Sequence, residues 1–239
     1  MSLFASFTKK NKLNDAIKAV AQARKAEGGQ ADVRYQQAYQ GFADALVDHP
    51  MIADALYNWG FGLLHQAKAK PAGEAEAIYE DAIAKFNFCL LVSPHYLGAA
   101  IDSGVAWMDL ARIKNLPASH VSYDRALEQF ERANSIQFGP ACYNLACIFS
   151  MRGDYEACKT ALEDARDSGS LPDAADMMND ADLVNARNQA WFETFLESLK
   201  KKSAAKPAAE VKAVAEVEAT PVAEPEAAEV PAEEIPKQG

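Results

Sequence analysis

Asn14, Asn58 and Asp102 stand 44 residues apart, and Asn144 fills the matching place further along the chain. A carboxamide offers both N–H donors and a carbonyl acceptor, so it can pair with a peptide unit whatever side chain that unit bears. A row of such groups could hold an extended chain by its backbone. Each bond contributes about 0.5–1.5 kcal/mol, so a usable affinity needs several of them and side-chain contacts besides. The plainer use of the same residues is to cap or hydrate helix surfaces, and common descent of repeated units would also leave them in register. At helical spacing Tyr57, Phe61, Leu64 and His65 share a face with Asn58. Ile101, Val105, Met108 and Asp109 do so beside Asp102, and Tyr143 and Cys147 beside Asn144. That surface is aromatic and apolar, with acidic points at Asp102 and Asp109.

Catalytic patterns are thin. The four histidines, at 49, 65, 95 and 120, stand one per region, and none pairs with Cys, Asp or Glu at the spacing of a metal site or an activated nucleophile. Gly60-Phe61-Gly62 is a pair of glycines inside a helical pattern, with no phosphate-binding loop around it. Cys89, Cys142, Cys147 and Cys158 form no CxxC pair and read as small core residues of a reducing compartment, which predicts a cytoplasmic chain. No catalytic residue, metal ligand or cofactor is expected, and the chain reads as a non-enzyme.

The elements that position the ladder follow from a wider repetition. Ala38, Ala82 and Ala126 form one series at 44 residues, Phe42, Phe86 and Phe130 a second, and Ala45, Cys89 and Ala133 a third. His49-Pro50 and Ser93-Pro94 close the first two units. Turns fall at Gly28-Gly29, Pro71-Ala72-Gly73 and Asn115-Leu116-Pro117-Ala118, where glycine and proline end helices for backbone reasons. The spacing predicts helices near 13–24, 31–47, 53–69, 74–91, 97–113, 120–136, 141–151 and 154–167. In 74–91, Ile78, Ala82, Phe86, Cys89 and Leu90 make one apolar face at steps of three and four.

The second helix of each unit carries Ala, Phe four residues on, and Ala or Cys three further. With the small residues Ala16, Gly60 and Gly104 in the first helix, this resembles the tetratricopeptide repeat. The last unit is the clearest match, through Cys142, Leu145, Ala146, Phe149, Gly153, Tyr155, Cys158, Leu162 and Ala165. The first three units depart from that family by about ten extra residues each, equivalent to lengthening both helices by about one and a half turns. The resemblance implies an all-α, right-handed α-solenoid of helix-turn-helix units over residues 9–168, divided near 9–52, 53–96, 97–138 and 139–168. It also implies that the first helices line a concave groove in which Asn binds peptide backbone. The candidate groove residues are then Asn14, Asn58, Asp102, Asn144, Tyr57, Phe61, His65, Ile101, Val105, Asp109 and Tyr143. The family's clamp for acidic C-termini uses Lys and Arg, and here only Lys10 stands near such a place.

Outside the repeats, residues 1–8 read as a separate N-terminal segment. Residues 169–202 hold a capping helix, predicted over 176–200 from Leu183, Trp191, Phe192, Phe195, Leu196 and Leu199. Residues 203–239, with eight Glu, three Lys, five Pro and no aromatic residue, read as a disordered acidic tail, either a solvating linker or a docking tail. A net charge of −10 argues against nucleic acid, and no apolar run approaches the roughly 20 residues of a membrane span. The sequence therefore predicts an adaptor or assembly factor whose partner is another protein. That partner offers a peptide or helix with apolar anchors and one basic residue. The alternatives are a homo-oligomeric scaffold, docking through the groove or Leu3, Phe4 and Phe7, and an accessory subunit of an enzyme.

Overall fold

The computed structural model describes the backbone of residues 3–47 and 52–204, and the side chains of residues 11–47 and 52–199. His49, Pro50, the tail from residue 205 onward, and the side chains of Leu3, Phe4, Phe7 and Lys10 lie outside the described residues. The described residues are helical and contain no strand. The helices are α1 (Leu3–Ala23), α2 (Gly29–Leu46), α3 (Ile52–Lys68), α4 (Ala72–Val92), α5 (Leu97–Ile113) and α6 (Val121–Ile136). They continue as α7 (Cys142–Arg152), α8 (Tyr155–Ser168), α9 (Ala174–Asn179), a 3-10 turn at Ala181–Leu183, α10 (Val184–Arg187) and α11 (Ala190–Ala204).

Each helix packs chiefly on its neighbours in the chain, with α1 on α2, α3 on α4, α5 on α6 and α7 on α8 as hairpins. The hairpins join through α2 on α3, α4 on α5 and α6 on α7, while α3 also touches α1 and α5. The odd-numbered helices of the first three hairpins thus adjoin one another.

The local boundaries have local causes. Asp154 caps α8, its carboxylate accepting from the Ala157 N–H at 3.1 Å. His120 caps α6, its Nδ1 accepting from the Ser122 N–H at 3.2 Å. Gly153 ends α7 at φ 75°, a left-handed conformation that an L side chain disfavours.

The repeated residues form the seams. Phe42, Phe86 and Phe130 are wholly buried, as are Ala38, Ala82 and Ala126. Burying each such ring is worth about 2–3 kcal/mol. The small residues face the rings. A Cβ built on Gly60 would lie 2.7 Å from Phe86 Cε1, and one on Gly104 would lie 2.5 Å from Phe130 Cε1. The first hairpin reverses the arrangement, with Gly41 of α2 against Ala16 of α1, 2.9 Å from a notional Cβ. Trp59 joins the first hairpin to the second, stacking at 6.0 Å on Tyr39 and 6.5 Å on Phe42.

Three boundaries or elements differ from the sequence expectation. Helix α1 begins at Leu3, so the stretch set apart at 1–8 is largely its first two turns. The segment 176–200 is not one helix. Asp180 accepts from the Asp182 N–H at 2.9 Å, a turn that stops α9 and redirects the chain. The redirection buries Met177, Leu183 and Ala186 completely, which a straight helix could not achieve together. The expected tail also starts inside an element, because Ser203 and Ala204 belong to α11.

Candidate functional site

The candidate residues lie on α1, α3, α5 and α7, but their environments differ. Asn14 is exposed on α1. Asn58 is only 7 % exposed, and its Nδ2 donates to the carbonyl of Asp54 at 2.8 Å, one turn back in its own helix. Asp102 is half-buried on α5, and its charge and that of the Tyr57 phenol bear on one another. Asn144 is half-buried on α7. The row is regular in the sequence and divided in space, because one amide is already engaged within its own helix and the other members differ in exposure.

The aromatic members do come together. Tyr57 packs at 4.8 Å from Tyr96, 6.1 Å from Phe61 and 6.2 Å from Phe86. His65 sits edge-on to Phe61 at 4.4 Å. Tyr57, Ile101, Val105 and Tyr143 are half-buried and rest on the main core, while Phe61 rests on the core of the first hairpin. They form an apolar shelf with a core already complete beneath it.

Burial lifts the Asp102 carboxyl to about 6, against the opposing pull of the Tyr57 hydroxyl and Lys68. Burial pushes His65 down to about 4, with Arg24 and Lys68 adding to it. At neutral pH the imidazole on this shelf is uncharged. Burial raises the Tyr57 phenol, and Asp102 raises it further.

Cations also reach this face. Arg24 stands over the Phe61 ring at 5.4 Å. Lys68 Nζ lies 3.4 Å from Asp109, and Arg112 holds Asp109 at 2.5 Å and also pairs with Asp182. Arg24, Lys68 and Arg112 are themselves 44 residues apart. The sequence reading passed over them and placed only Lys10 near a basic position. The signal was the same interval that marked the core, carried at or just past the C-terminal end of each first helix.

The far end of the face is occupied. The turn after α9 packs against α7. The Tyr143 hydroxyl donates to Asp180 at 2.7 Å, Asn185 Nδ2 donates to the Ser150 carbonyl at 3.2 Å, and the Ala186 N–H donates to Ser150 Oγ at 3.3 Å. Tyr143 therefore serves an internal contact. Ligand-type atoms of Cys147, Asp180 and Asp182 lie within 4.8 Å of one another. Arg112 and Tyr143 already satisfy the two carboxylates, and burial raises the Cys147 thiol. This cluster is a tie between the C-terminal turn, α5 and α7.

The sequence model of a family described as plant-specific mitochondrial import receptor subunit TOM20 matches residues 30–152, which span α2 to α7. No curated protein matches the chain. The family's fold is tetratricopeptide-like and all-helical, in keeping with the likeness in the repeats at the level of fold. The cytoplasmic address inferred from buried cysteines is overturned, because the family is one of mitochondrial import receptor subunits. Buried thiols report only a core that packs small side chains and carry no information about destination. The match covers just over half of the residues and every helix of the apolar shelf, and the chain belongs to the plant-specific mitochondrial import receptor subunit TOM20 family.

Proposed function

We propose that this chain is a non-enzymatic receptor that holds a segment of a protein bound for the mitochondrion against the shelf on α3 and α5. In this reading the hairpins wind as a right-handed solenoid of tetratricopeptide type, with the odd helices lining its concave side. The alternating contacts and the Gly60–Phe86 and Gly104–Phe130 seams support that winding. The observation that carries the function is the shelf itself. Tyr57, Phe61, Ile101 and Val105 stay half-exposed on adjoining helices although the core under them is closed. His65 is uncharged at neutral pH and Asp102, raised only to about 6, keeps a negative charge, so the shelf suits apolar anchors with a basic residue beside them. The family description supplies the class of partner and the mitochondrial address.

Fluorescence anisotropy with labelled N-terminal segments of imported proteins tests the reading. The full chain should bind them in the micromolar range, and Phe61→Ala should weaken binding at least fivefold with the melting temperature kept within a few degrees. Binding that ignores Phe61→Ala and Tyr57→Ala alike would remove the shelf as the site.

A second reading, self-association, is favoured by an apolar strip elsewhere. Phe88, Leu91 and Val92 are 57, 76 and 55 % exposed at the end of α4, and Val47, 81 % exposed, stands at the position equivalent to Leu91. A clean monomer by light scattering across a concentration series would dismiss it.

A further inference from the structure

The shelf is electrically uneven along its helix axes. Helices α3 and α5 run in the same direction, since Tyr57 meets Gly98 near their starts and Lys68 meets Asp109 near their ends. A Cβ on Gly98 would lie 3.0 Å from the Cζ and hydroxyl of Tyr57, so the bare backbone there seats the ring. Tyr96 lies 4.8 Å from Tyr57, and its hydroxyl donates to Asp54 at 3.1 Å. Asp102 stands one turn beyond Gly98 on α5, within electrostatic reach of Tyr57. Two tyrosines and two carboxylates therefore gather at the N-terminal end of the shelf. Among the described residues no cation lies within ion-pair distance of either carboxylate.

The other end has the opposite sign. Phe61 and His65 follow Tyr57 by one and two turns, which places His65 about 12 Å further along α3. Arg24 covers the face of Phe61 at 5.4 Å, and among the described residues no carboxylate lies within ion-pair distance of it. Lys68 and Arg112, the further cations of this end, are spent on Asp109 and Asp182. His65 is uncharged at neutral pH, so Arg24 is the charge that an incoming segment meets there.

A basic side chain is thus treated differently at the two ends. Beside Tyr57 a guanidinium or ammonium finds two carboxylates that accept its N–H groups. The half-buried rings around Asp102 make that attraction stronger than it is in open water. Beside Phe61 the ring face is already taken, and a second cation meets like charge. Phe61, Ile101 and Val105 between them take apolar anchors and are indifferent to their order.

We infer that the shelf reads direction: Asp54 and Asp102, beside Tyr57 and Tyr96, seat a basic side chain of the bound segment, while Arg24 turns one away at the other end. A segment whose basic residue lies on one side of its apolar anchors then binds in one orientation only. This rests on the proposal that the shelf binds a partner segment, and it adds which flank of the anchors carries the charge.

The probes are two labelled, acetylated and amidated peptides of one composition, with a single arginine either before or after a common pair of leucines in an alanine-glutamine background. Both are titrated into the full chain at neutral pH. One should bind about fivefold tighter than the other, and raising the salt should close the gap. Asp102→Asn should weaken the tighter peptide. Arg24→Gln should strengthen the looser one, a gain that damage to the fold would not produce. Melting temperatures identify a misfolded variant, and Asp54→Asn replaces Asp102→Asn if that chain is lost. Equal affinities in the parent, a gap indifferent to salt, or a gap left intact by both variants would each overturn the inference. Equal affinities that still fall with Phe61→Ala overturn the direction reading alone and leave the shelf standing. Binding by neither peptide removes the shelf and the direction reading together.

Discussion

Gly104→Ala probes the seam on which the helix positions depend. The new Cβ would lie 2.5, 2.7 and 2.8 Å from Phe130 Cε1, Cζ and Cδ1, whereas ordinary contact begins at 3.4 Å. The ring or the helix must therefore shift by nearly 1 Å. Phe130 is wholly buried, and a close-packed interior offers it no free space. Overpacking of this kind costs about 1–3 kcal/mol, and three simultaneous clashes place it in the upper half. Alanine gains about 1 kcal/mol over glycine in helix propensity. The net loss is about 1–2 kcal/mol, a fall of roughly 2–8 °C in melting temperature for a domain of this size. Gly73→Ala is the control, because nothing lies within 4 Å of its Cβ position. It should leave stability unchanged or raise it by up to about 1 kcal/mol. Combining Gly104→Ala with Phe130→Leu should cost less than the sum of the two singles, since the smaller side chain vacates the contested space. Urea unfolding read by circular dichroism measures all four variants. A Gly104→Ala chain as stable as the parent would refute the seam.

Stability between pH 4 and 6 should be nearly flat in the parent for the two shelf groups, because their contributions oppose. Asp102 is raised from 3.8 to about 6, so its contribution is present below pH about 4 and is lost as pH rises to 6; His65 is lowered from 6.5 to about 4, so its contribution is lost as pH falls from 6.5 to 4. Each is worth about 3 kcal/mol, so Asp102→Asn should expose an acid-side loss and His65→Gln an alkaline-side loss, read as urea midpoints at several pH values. Tyr143→Phe removes the donor to Asp180 and should cost about 1–3 kcal/mol, speeding hydrogen exchange at 181–187 while α3 and α4 keep their protection. Phe86→Ala should cost about 3–5 kcal/mol in urea, since the ring is wholly buried against Gly60. Asn58→Ala should lower stability by about 0.5–1.5 kcal/mol and leave partner affinity unchanged, because its amide serves the helix.

Much of the core was legible because the repeat writes it several times over. Ala38, Ala82 and Ala126 recur where helices approach, and Phe42, Phe86 and Phe130 recur beside them, and all six are buried. The candidate site was legible only in outline. The reading placed Tyr57, Phe61, His65, Ile101 and Val105 on helices that do adjoin, and the shelf is made of them. It treated Asn58 as an open amide, although a donor one turn from a backbone carbonyl can close on its own helix. It took 176–200 for one helix because the apolar spacing of Trp191, Phe192 and Phe195 is helical, and it overlooked Asp180 as a turn former.

Periodic burial is written in the order of residues, because a helix face repeats every three or four positions and a small residue opposite a ring can be recognised without coordinates. Pairing between distant polar groups is not. Arg112 with Asp182 and Tyr143 with Asp180 join residues 70 and 37 positions apart. Each depends on where two helices and a turn come to rest, and on which of several reachable carboxylates arrives first. The 44-residue interval therefore determined the framework, while the folded arrangement chose which cations are spent within the chain and left Arg24 without a carboxylate among the described residues. Apolar burial depends on residue type and phase, whereas an ion pair depends on distances of a few ångströms that packing alone sets.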